Sequence, residues 1–443
     1  MIFDLLKFSD RAAYRVGDTT LSYRELHDQA AHLADLLRRE GTSPVLLYGH
    51  KEPMMPVAMV ACLMAKRPYV PIEAAAPPER IADIRRRTQS TLTLAAEPIA
   101  GGVSLSEAEA FALLPPKDCD SPIAYIIFTS GSTGEPKGVP ILRENLENFT
   151  RWITAALPAE KPLCVLDQAS FSFDLSVADL FYALHGGHTL IAYESRESLS
   201  EVDLMVVTPT FLSMCLCDGD FDAAHFPKLS AVYCCGERLE VKTAQKLFSR
   251  FEKTALYNAY GPTEATSAVC LTKIFPALET VDELLPVGDL ASAATEISVE
   301  DGEIVLRGNS VFEGYLGAPD PTLPSRGYRT GDFGFVRDGK LYCRGRRDRQ
   351  IKYKGYRIEL DGVERVLEAV CGVDACAVIA RYRGDTVKLL KAFYCGSASE
   401  ESVRDALKRR LPAYMIPKLL IRLEKLPQNA HGKIDRRRLE NDD

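Results

Sequence analysis

Ten contiguous residues constrain this chain more than any others: Thr129-Ser130-Gly131-Ser132-Thr133-Gly134-Glu135-Pro136-Lys137-Gly138. They follow an apolar run, Ile123 to Phe128, that reads as a buried strand ending in a turn. Three glycines permit positive φ and close backbone approach. Four hydroxyls and the backbone N–H groups can donate to phosphate oxygens, and Lys137 adds a point charge. A Ser/Gly linker tip needs neither a buried strand before it nor a lysine after it. The stretch therefore reads as a phosphate-cradling loop. It is not the common P-loop, which ends Gly-Lys-Ser/Thr, because here Lys137 precedes Gly138.

The 443 residues suffice for two or three domains and a large core, and 46% hydrophobic with 26% charged residues is ordinary for globular chains. Net charge is −7, and no basic run is long enough for a nucleic-acid surface. Twelve cysteines without a CxxC pair argue against a zinc or disulfide framework and for a reducing compartment. The start, Met1-Ile2-Phe3-Asp4, lacks a basic region and a signal-type apolar stretch. The longest apolar run, Met54 to Ala65, contains Pro56 and is too short to span a bilayer. These features predict a soluble cytoplasmic protein with no membrane insertion and no nucleic-acid partner.

Ser22 and Glu25 form a capping box that opens a helix. Its apolar positions Leu26, Ala30, Leu33, Ala34 and Leu37 recur at helical spacing until Gly41. A strand over 43–48, a helix over 55–65 and a strand over 69–72 follow. This alternation predicts a parallel, doubly wound sheet. Further buried strands are predicted at 123–128, 189–192, 205–207 and 231–235. The texture changes after Arg347. Val363, Val366, Leu367 and Val370 share a helical face, strands are predicted at 375–380 and 387–394, and Val403, Ala406, Leu407 and Leu411 mark a second helix. The expected fold is α/β: a large N-terminal layered domain with mostly parallel sheets over 1–347, and a small mobile C-terminal α+β domain over 348–443.

Three further stretches carry chemistry. In Phe171-Ser172-Phe173-Asp174-Leu175-Ser176 a carboxylate sits among apolar residues, which is costly unless a cation pairs with it. Asp174 is either the N-cap of the next helix or the seat of a substrate ammonium. In Tyr257-Asn258-Ala259-Tyr260-Gly261-Pro262-Thr263-Glu264-Ala265-Thr266, Gly-Pro makes a turn and Tyr260 offers a flat face for a purine. Thr263 can donate to a phosphate and Glu264 can ligate Mg²⁺. Near the end, Ala430-His431-Gly432-Lys433-Ile434-Asp435-Arg436 places a lysine between Gly432 and Asp435.

With Tyr328-Arg329-Thr330-Gly331-Asp332 and Gly345-Arg346-Arg347-Asp348-Arg349-Gln350, six blocks over 129–436 resemble, in order, the motifs of the adenylate-forming enzymes. These are the acyl-CoA synthetases, luciferases and nonribosomal-peptide adenylation domains. The resemblance implies ATP and Mg²⁺ as cofactors and Thr263, Glu264 and Lys433 as catalytic residues. It implies an ATP site of Thr129, Ser130, Gly131, Ser132, Thr133, Gly134, Lys137, Asn258, Ala259, Tyr260, Gly261, Thr263, Asp332, Arg346 and Lys433. Glu264 would be the metal ligand, Asp332 would hold both ribose hydroxyls, and Asp348 would be the hinge of the small domain. His431 departs from the family's asparagine.

In amino-acid-activating relatives the residue matching Asp174 holds the α-amino group, which implies an amino acid substrate. The run 169–180, Thr208-Pro209-Thr210-Phe211, and Leu411 to Pro417 resemble the branch that activates D-alanine for teichoic acid modification. Cys235 stands where that branch has a pocket cysteine favouring the D-enantiomer, and Ser267 replaces an apolar pocket residue. The substrate residues are thus Asp174, Cys235 and Ser267. Two half-reactions are implied: formation of an aminoacyl-AMP, then transfer to the phosphopantetheine thiol of a carrier protein. The alternative is a nonribosomal adenylation domain for another amino acid. The chain departs from the D-alanine branch in length, with a crossover cut down between Tyr193 and Met205 and a trimmed region before Glu303.

Overall fold

The computed structural model describes residues 4–130, 135–317, 326–346, 349–384, 386–428 and 434–441. The chain divides into two compact units. One comprises Met1–Ala74, Arg87–Ile127 and Gly138–Gly345, the other Ala75–Arg86, Phe128–Lys137 and Arg346–Asp443.

The first unit is built on a mixed eight-stranded sheet. Its strands, from one edge to the other, are Cys270–Ile274, Ala255–Tyr260, Ala231–Cys234, Leu204–Val207, Cys164–Asp167, Thr189–Ala192, Ala12–Val16 and Thr19–Ser22. The interior pairings are parallel. Both edge pairings are antiparallel, which the expected parallel sheet did not anticipate. A second sheet orders Leu92–Ala95, Val45–Gly49, Tyr69–Glu73, Ile123–Thr129 and Lys137–Leu142. Its interior strands are near-continuous apolar runs because both faces are covered, and Val45, Leu46 and Leu47 are fully buried. The helix Tyr23–Glu40 carries the Ser22–Glu25 capping box and buries Leu26, Ala30, Leu33, Ala34 and Leu37, as its periodicity predicts.

Strand ends differ from the sequence expectation by up to three residues, at the termini where elements fray. A five-stranded sheet of Gly288–Asp289, Lys340–Arg346, Gly327–Arg337, Glu303–Arg307 and Glu296–Glu300 was not anticipated. Its strands are half-exposed and polar, so they lack the continuous apolar runs that announce the other sheets. The link between Thr189–Ala192 and Leu204–Val207 is a 3₁₀ segment, Arg196–Glu201, in place of a full crossover helix.

In the second unit, Val373–Arg383 pairs antiparallel with Thr386–Gly396, which pairs parallel with Leu419–Arg422. Gln350–Tyr353 and Tyr356–Glu359 form a separate hairpin. The helices Leu360–Glu368 and Glu400–Arg410 bury Val363, Leu367, Val403 and Leu407 in a core with Val378, Leu390 and Ala392. Helix and strand residues predicted from the texture after Arg347 meet in this core.

Candidate functional site

Four adjacent parallel strands of the large sheet end on the same side, and the loops after their carboxyl ends carry Asp174, Cys235, Gly261, Thr263, Glu264 and Ser267. Such strand ends are where open α/β sheets bind ligands. Asp174 follows Cys164–Asp167, Thr208 follows Leu204–Val207, Cys235 follows Ala231–Cys234, and Gly261 to Ser267 follow Ala255–Tyr260.

The turn after Tyr260 is dictated locally. A Cβ on Gly261 would lie 2.5 Å from the Ala268 Cα, so only glycine fits there. A 3₁₀ turn over Thr263–Ala265 follows, then Thr266 and Ser267 at φ +61° and +70°. Two successive left-handed residues without glycine are strained, and surrounding bonds hold them. The Thr266 hydroxyl donates to the Ser310 carbonyl over 2.9 Å, and the Phe312 N–H donates to the Glu264 carbonyl over 2.8 Å. The result turns Thr263 and Glu264 inward, 5% and 0% exposed.

Asp174 stands at the N-cap position of the helix Leu175–Gly186, yet its side chain makes no cap hydrogen bond. Its carboxylate, 7% exposed, instead accepts the Thr263 hydroxyl over 2.6 Å. Of the two sequence readings of Asp174, the capping one is therefore not realised. Burial holds the Tyr125 and Tyr233 phenols well above their ordinary value, and the Asp174 charge adds to both shifts. Cys235 is 2% exposed, and its Sγ lies 4.0 Å from the Ser267 carbonyl oxygen. Gly236 beside it sits at φ +90°. The hydroxyls of Tyr125 and Ser267 are buried with no hydrogen-bond partner among the described residues. A buried hydroxyl without a protein partner is satisfied by a polar ligand or water.

On the nucleotide-motif side, the Tyr260 hydroxyl donates to Asp332 Oδ2 over 2.7 Å. The Asp332 N–H donates to the Thr330 hydroxyl, which in turn donates to the Ile304 carbonyl. Asn258 is buried, and its amide donates to the Pro286 carbonyl over 2.8 Å. Ala259 is buried in the strand Ala255–Tyr260. Sequence reasoning missed Tyr315, whose hydroxyl donates to Glu264 Oε1 over 2.8 Å. It also missed a buried polar cluster in which Lys51 pairs with Asp167 and the Ala169 carbonyl, with the Tyr14 hydroxyl 3.3 Å from Asp167. Both oxygens of Asp179 are buried without a hydrogen-bond partner among the described residues. Burial, reinforced by Asp167, pushes the Asp179 carboxyl far above the ordinary carboxylate value. Lys51 and Asp167 lie in unremarkable sequence, so no motif announces them.

Thr129 and Ser130 belong to the second unit and are buried there. The Ser130 hydroxyl donates to the Arg357 carbonyl over 2.8 Å and accepts the Glu359 N–H over 3.1 Å. Lys137 opens the strand Lys137–Leu142, and Arg346 closes the strand Lys340–Arg346. Gly131, Ser132, Thr133, Gly134, Asp348 and Lys433 lie outside the described residues. What flanks Lys433 is defined. Gln428 and Ile434 form an antiparallel bridge, and the Asp435 N–H donates to the Pro427 carbonyl over 2.8 Å. Arg436 donates to Glu364 Oε2 over 2.9 Å, and Arg349 grips the same carboxylate over 2.8 and 2.9 Å. Burial opposes ionisation of Glu364, but the two guanidiniums hold it below the usual carboxylate range.

Among the described residues no three acidic, histidine or cysteine side chains gather to hold a metal ion. No helix among them is long and apolar enough to cross a membrane.

A profile of the AMP-binding enzyme family matches residues 5–316, and one of the AMP-binding enzyme C-terminal domain matches residues 362–433. The D-alanine–D-alanyl carrier protein ligase of Listeria innocua is 34% identical over 98% of this chain and 96% of its own length. That of Bacillus licheniformis is 36% identical over 97% and 96%. The Vibrio cholerae adenylation domain AlmE, solved with glycyl-adenosine-5′-phosphate, shares the fold at a TM-score of 0.84 and 23% identity, over 98% of this chain and 95% of that one. PA1221, a nonribosomal peptide synthetase protein with adenylation and PCP domains, superposes at 0.83 with 25% identity, over 99% and 85%. Both profiles fall in chain order, and the strand-end loops carry two of the stretches that the sequence resemblance rests on, 171–176 and 257–266: the chain is an enzyme that belongs to the AMP-binding family.

Proposed function

We propose that this enzyme activates a small amino acid, D-alanine, with ATP and loads it onto the phosphopantetheine thiol of a carrier protein. The observation that carries the reading is Asp174, a buried carboxylate that does not cap its helix and instead accepts the hydroxyl of Thr263 from the nucleotide motif. A buried anion of this kind asks for a cation, and an amino acid ammonium supplies one with three donors. The names of the ligases that cover nearly the whole chain support D-alanine as that amino acid.

The first step joins the substrate carboxylate oxygen to the α-phosphorus and breaks the bond to the β-phosphate, releasing pyrophosphate. Asp174 holds the ammonium and fixes the attack geometry. Tyr260 and Asp332 seat the base and ribose. The loop over 129–138 and Lys433 donate to phosphate oxygens as charge moves onto the leaving group. Glu264 is the residue that would hold Mg²⁺. It is fully buried and belongs to no group of three acidic, histidine or cysteine side chains among the described residues, so phosphate and water oxygens would complete the ion's shell. When bound, Mg²⁺ neutralises charge on the phosphates.

In the second step the small domain, 348–443, turns about Asp348 and carries Lys433 away. The carrier thiol then attacks the acyl carbon, forming the thioester and releasing AMP. Cys235 limits the space beside the substrate Cα and so bears on chirality. A cytoplasmic setting and supply of D-alanine to teichoic acids accord with this chemistry.

An ATP–pyrophosphate exchange screen over D- and L-amino acids and glycine tests the reading. D-Alanine is expected to give the highest kcat/KM. Faster exchange with an L-amino acid would favour a nonribosomal adenylation enzyme instead.

A further inference from the structure

Thr263 has one hydroxyl proton, and two acceptors compete for it. In this structure the proton goes to Asp174, over 2.6 Å between two buried side chains. With nucleotide bound, the same hydroxyl is within the motif that meets phosphate. We infer that the Thr263 hydroxyl couples the two substrate sites: an ammonium on Asp174 frees the proton for phosphate, so that each ligand tightens the other. The inference rests on the reading of Asp174 as the ammonium seat.

The physical reason lies in the burial of Asp174. A carboxylate 7% exposed, following Phe171 and Phe173 in the chain, depends on its donors, the Thr263 hydroxyl among them. Without amino acid, turning Thr263 toward phosphate takes a donor away from that anion in a dry pocket, where such a loss is large. An incoming ammonium brings three N–H donors and cancels the charge. Asp174 then holds the Thr263 proton weakly, and the hydroxyl can turn to the anionic phosphate at little loss.

The turn itself is held: Thr266 is tied to Ser310, Glu264 to Phe312, and Thr266 and Ser267 sit at positive φ. Rotation of the Thr263 side chain needs none of these to move. Linkage requires the effect to be reciprocal.

The test is calorimetric titration of the full chain with α,β-methylene-ATP and Mg²⁺, with and without saturating D-alanine, and the reverse titration. The analogue cannot release pyrophosphate, so binding is read without turnover. Wild type should show the same factor both ways, about tenfold, inside the range of about 5- to 150-fold usual for coupled sites. Thr263→Val should bring the factor below about twofold, the remainder coming from charge neutralisation alone. Thr263→Ser keeps the hydroxyl and should retain the wild-type factor, which separates the proton from lost packing, and thermal melts report folding of each variant.

A wild-type factor in the valine variant overturns the coupling, as does its absence in the wild type. Failure of the underlying reading looks different. If D-alanine does not bind, or binds Asp174→Ala as it binds wild type, the ammonium assignment falls and the coupling with it.

Discussion

The Tyr315 hydroxyl donates to Glu264 Oε1 over 2.8 Å, and Glu264 is completely buried. The Tyr315 ring packs edge-on against Phe312, which packs edge-on against Tyr328. The next N–H, of Leu316, donates to the carbonyl of Gly138, the last residue of the stretch proposed to meet phosphate. Tyr315 thus fixes one oxygen of the carboxylate proposed to hold Mg²⁺. Partners of this kind set the orientation of a metal ligand, and their loss typically lowers metal affinity or activity about 10- to 100-fold. Tyr315→Phe keeps the ring and removes the donor. Pyrophosphate exchange should fall about tenfold, with half-maximal rate reached only at higher Mg²⁺. An unchanged Mg²⁺ dependence would make the tyrosine a packing residue only.

Ser267 combines a left-handed backbone with a buried hydroxyl that has no hydrogen-bond partner among the described residues. An unsatisfied buried hydroxyl costs about 1–3 kcal/mol. Ser267→Ala should therefore stabilise the empty enzyme, raising its thermal midpoint by about 1–2 °C. The same change should lower kcat/KM for the amino acid if that hydroxyl meets the substrate. A lower midpoint would mean that the hydroxyl is satisfied in the empty protein.

Lys433→Ala should separate the two half-reactions. Loss of a donor aimed at developing charge typically costs about 10²- to 10³-fold. Pyrophosphate exchange should drop by that factor, while transfer of a preformed D-alanyl-adenylate to the carrier thiol proceeds at nearly the wild-type rate. Equal loss in both assays would remove Lys433 from the adenylation step.

His188 predicts an acid limit on stability. The ring is 5% exposed, its Nδ1 accepts the Leu163 N–H over 3.1 Å, and it lies 4.8 Å from the Tyr182 ring. Burial, helped by Arg11, holds its pKa down at about 4. An unfolded histidine titrates near 6.5. Between these values the unfolded chain binds a proton that the folded chain refuses, so stability falls as pH drops from about 6.5 to 4. The loss reaches on the order of 3 kcal/mol. Urea titrations at pH 7 and 4.5 should show it in the wild type and show less of it in His188→Gln.

The candidate motifs were legible in the linear chain because each is a contiguous run. The stretch from Thr129 to Gly138 and the turn from Gly261 to Glu264 are read directly from sequence. Gly261 is held to glycine by its contact with Ala268, seven residues on. The capping box at Ser22 and the buried face of the helix after it are equally local. The branch of the family, too, was readable from short runs.

Tertiary structure alone decided which of these residues touch. Thr263 and Asp174 are 89 positions apart, Tyr260 and Asp332 72, Tyr315 and Glu264 51, Lys51 and Asp167 116. Those meetings depend on sheet order, which runs Ala255–Tyr260, Ala231–Cys234, Leu204–Val207, Cys164–Asp167 and then back to Thr189–Ala192. Hydrophobic periodicity says that a strand is buried but not which strand lies beside it. Asp174 shows the difference plainly. Its position before an apolar helix is a capping signal in the sequence, whereas in the fold the hydroxyl of Thr263, from the loop after a strand three places along the same sheet, takes its carboxylate instead.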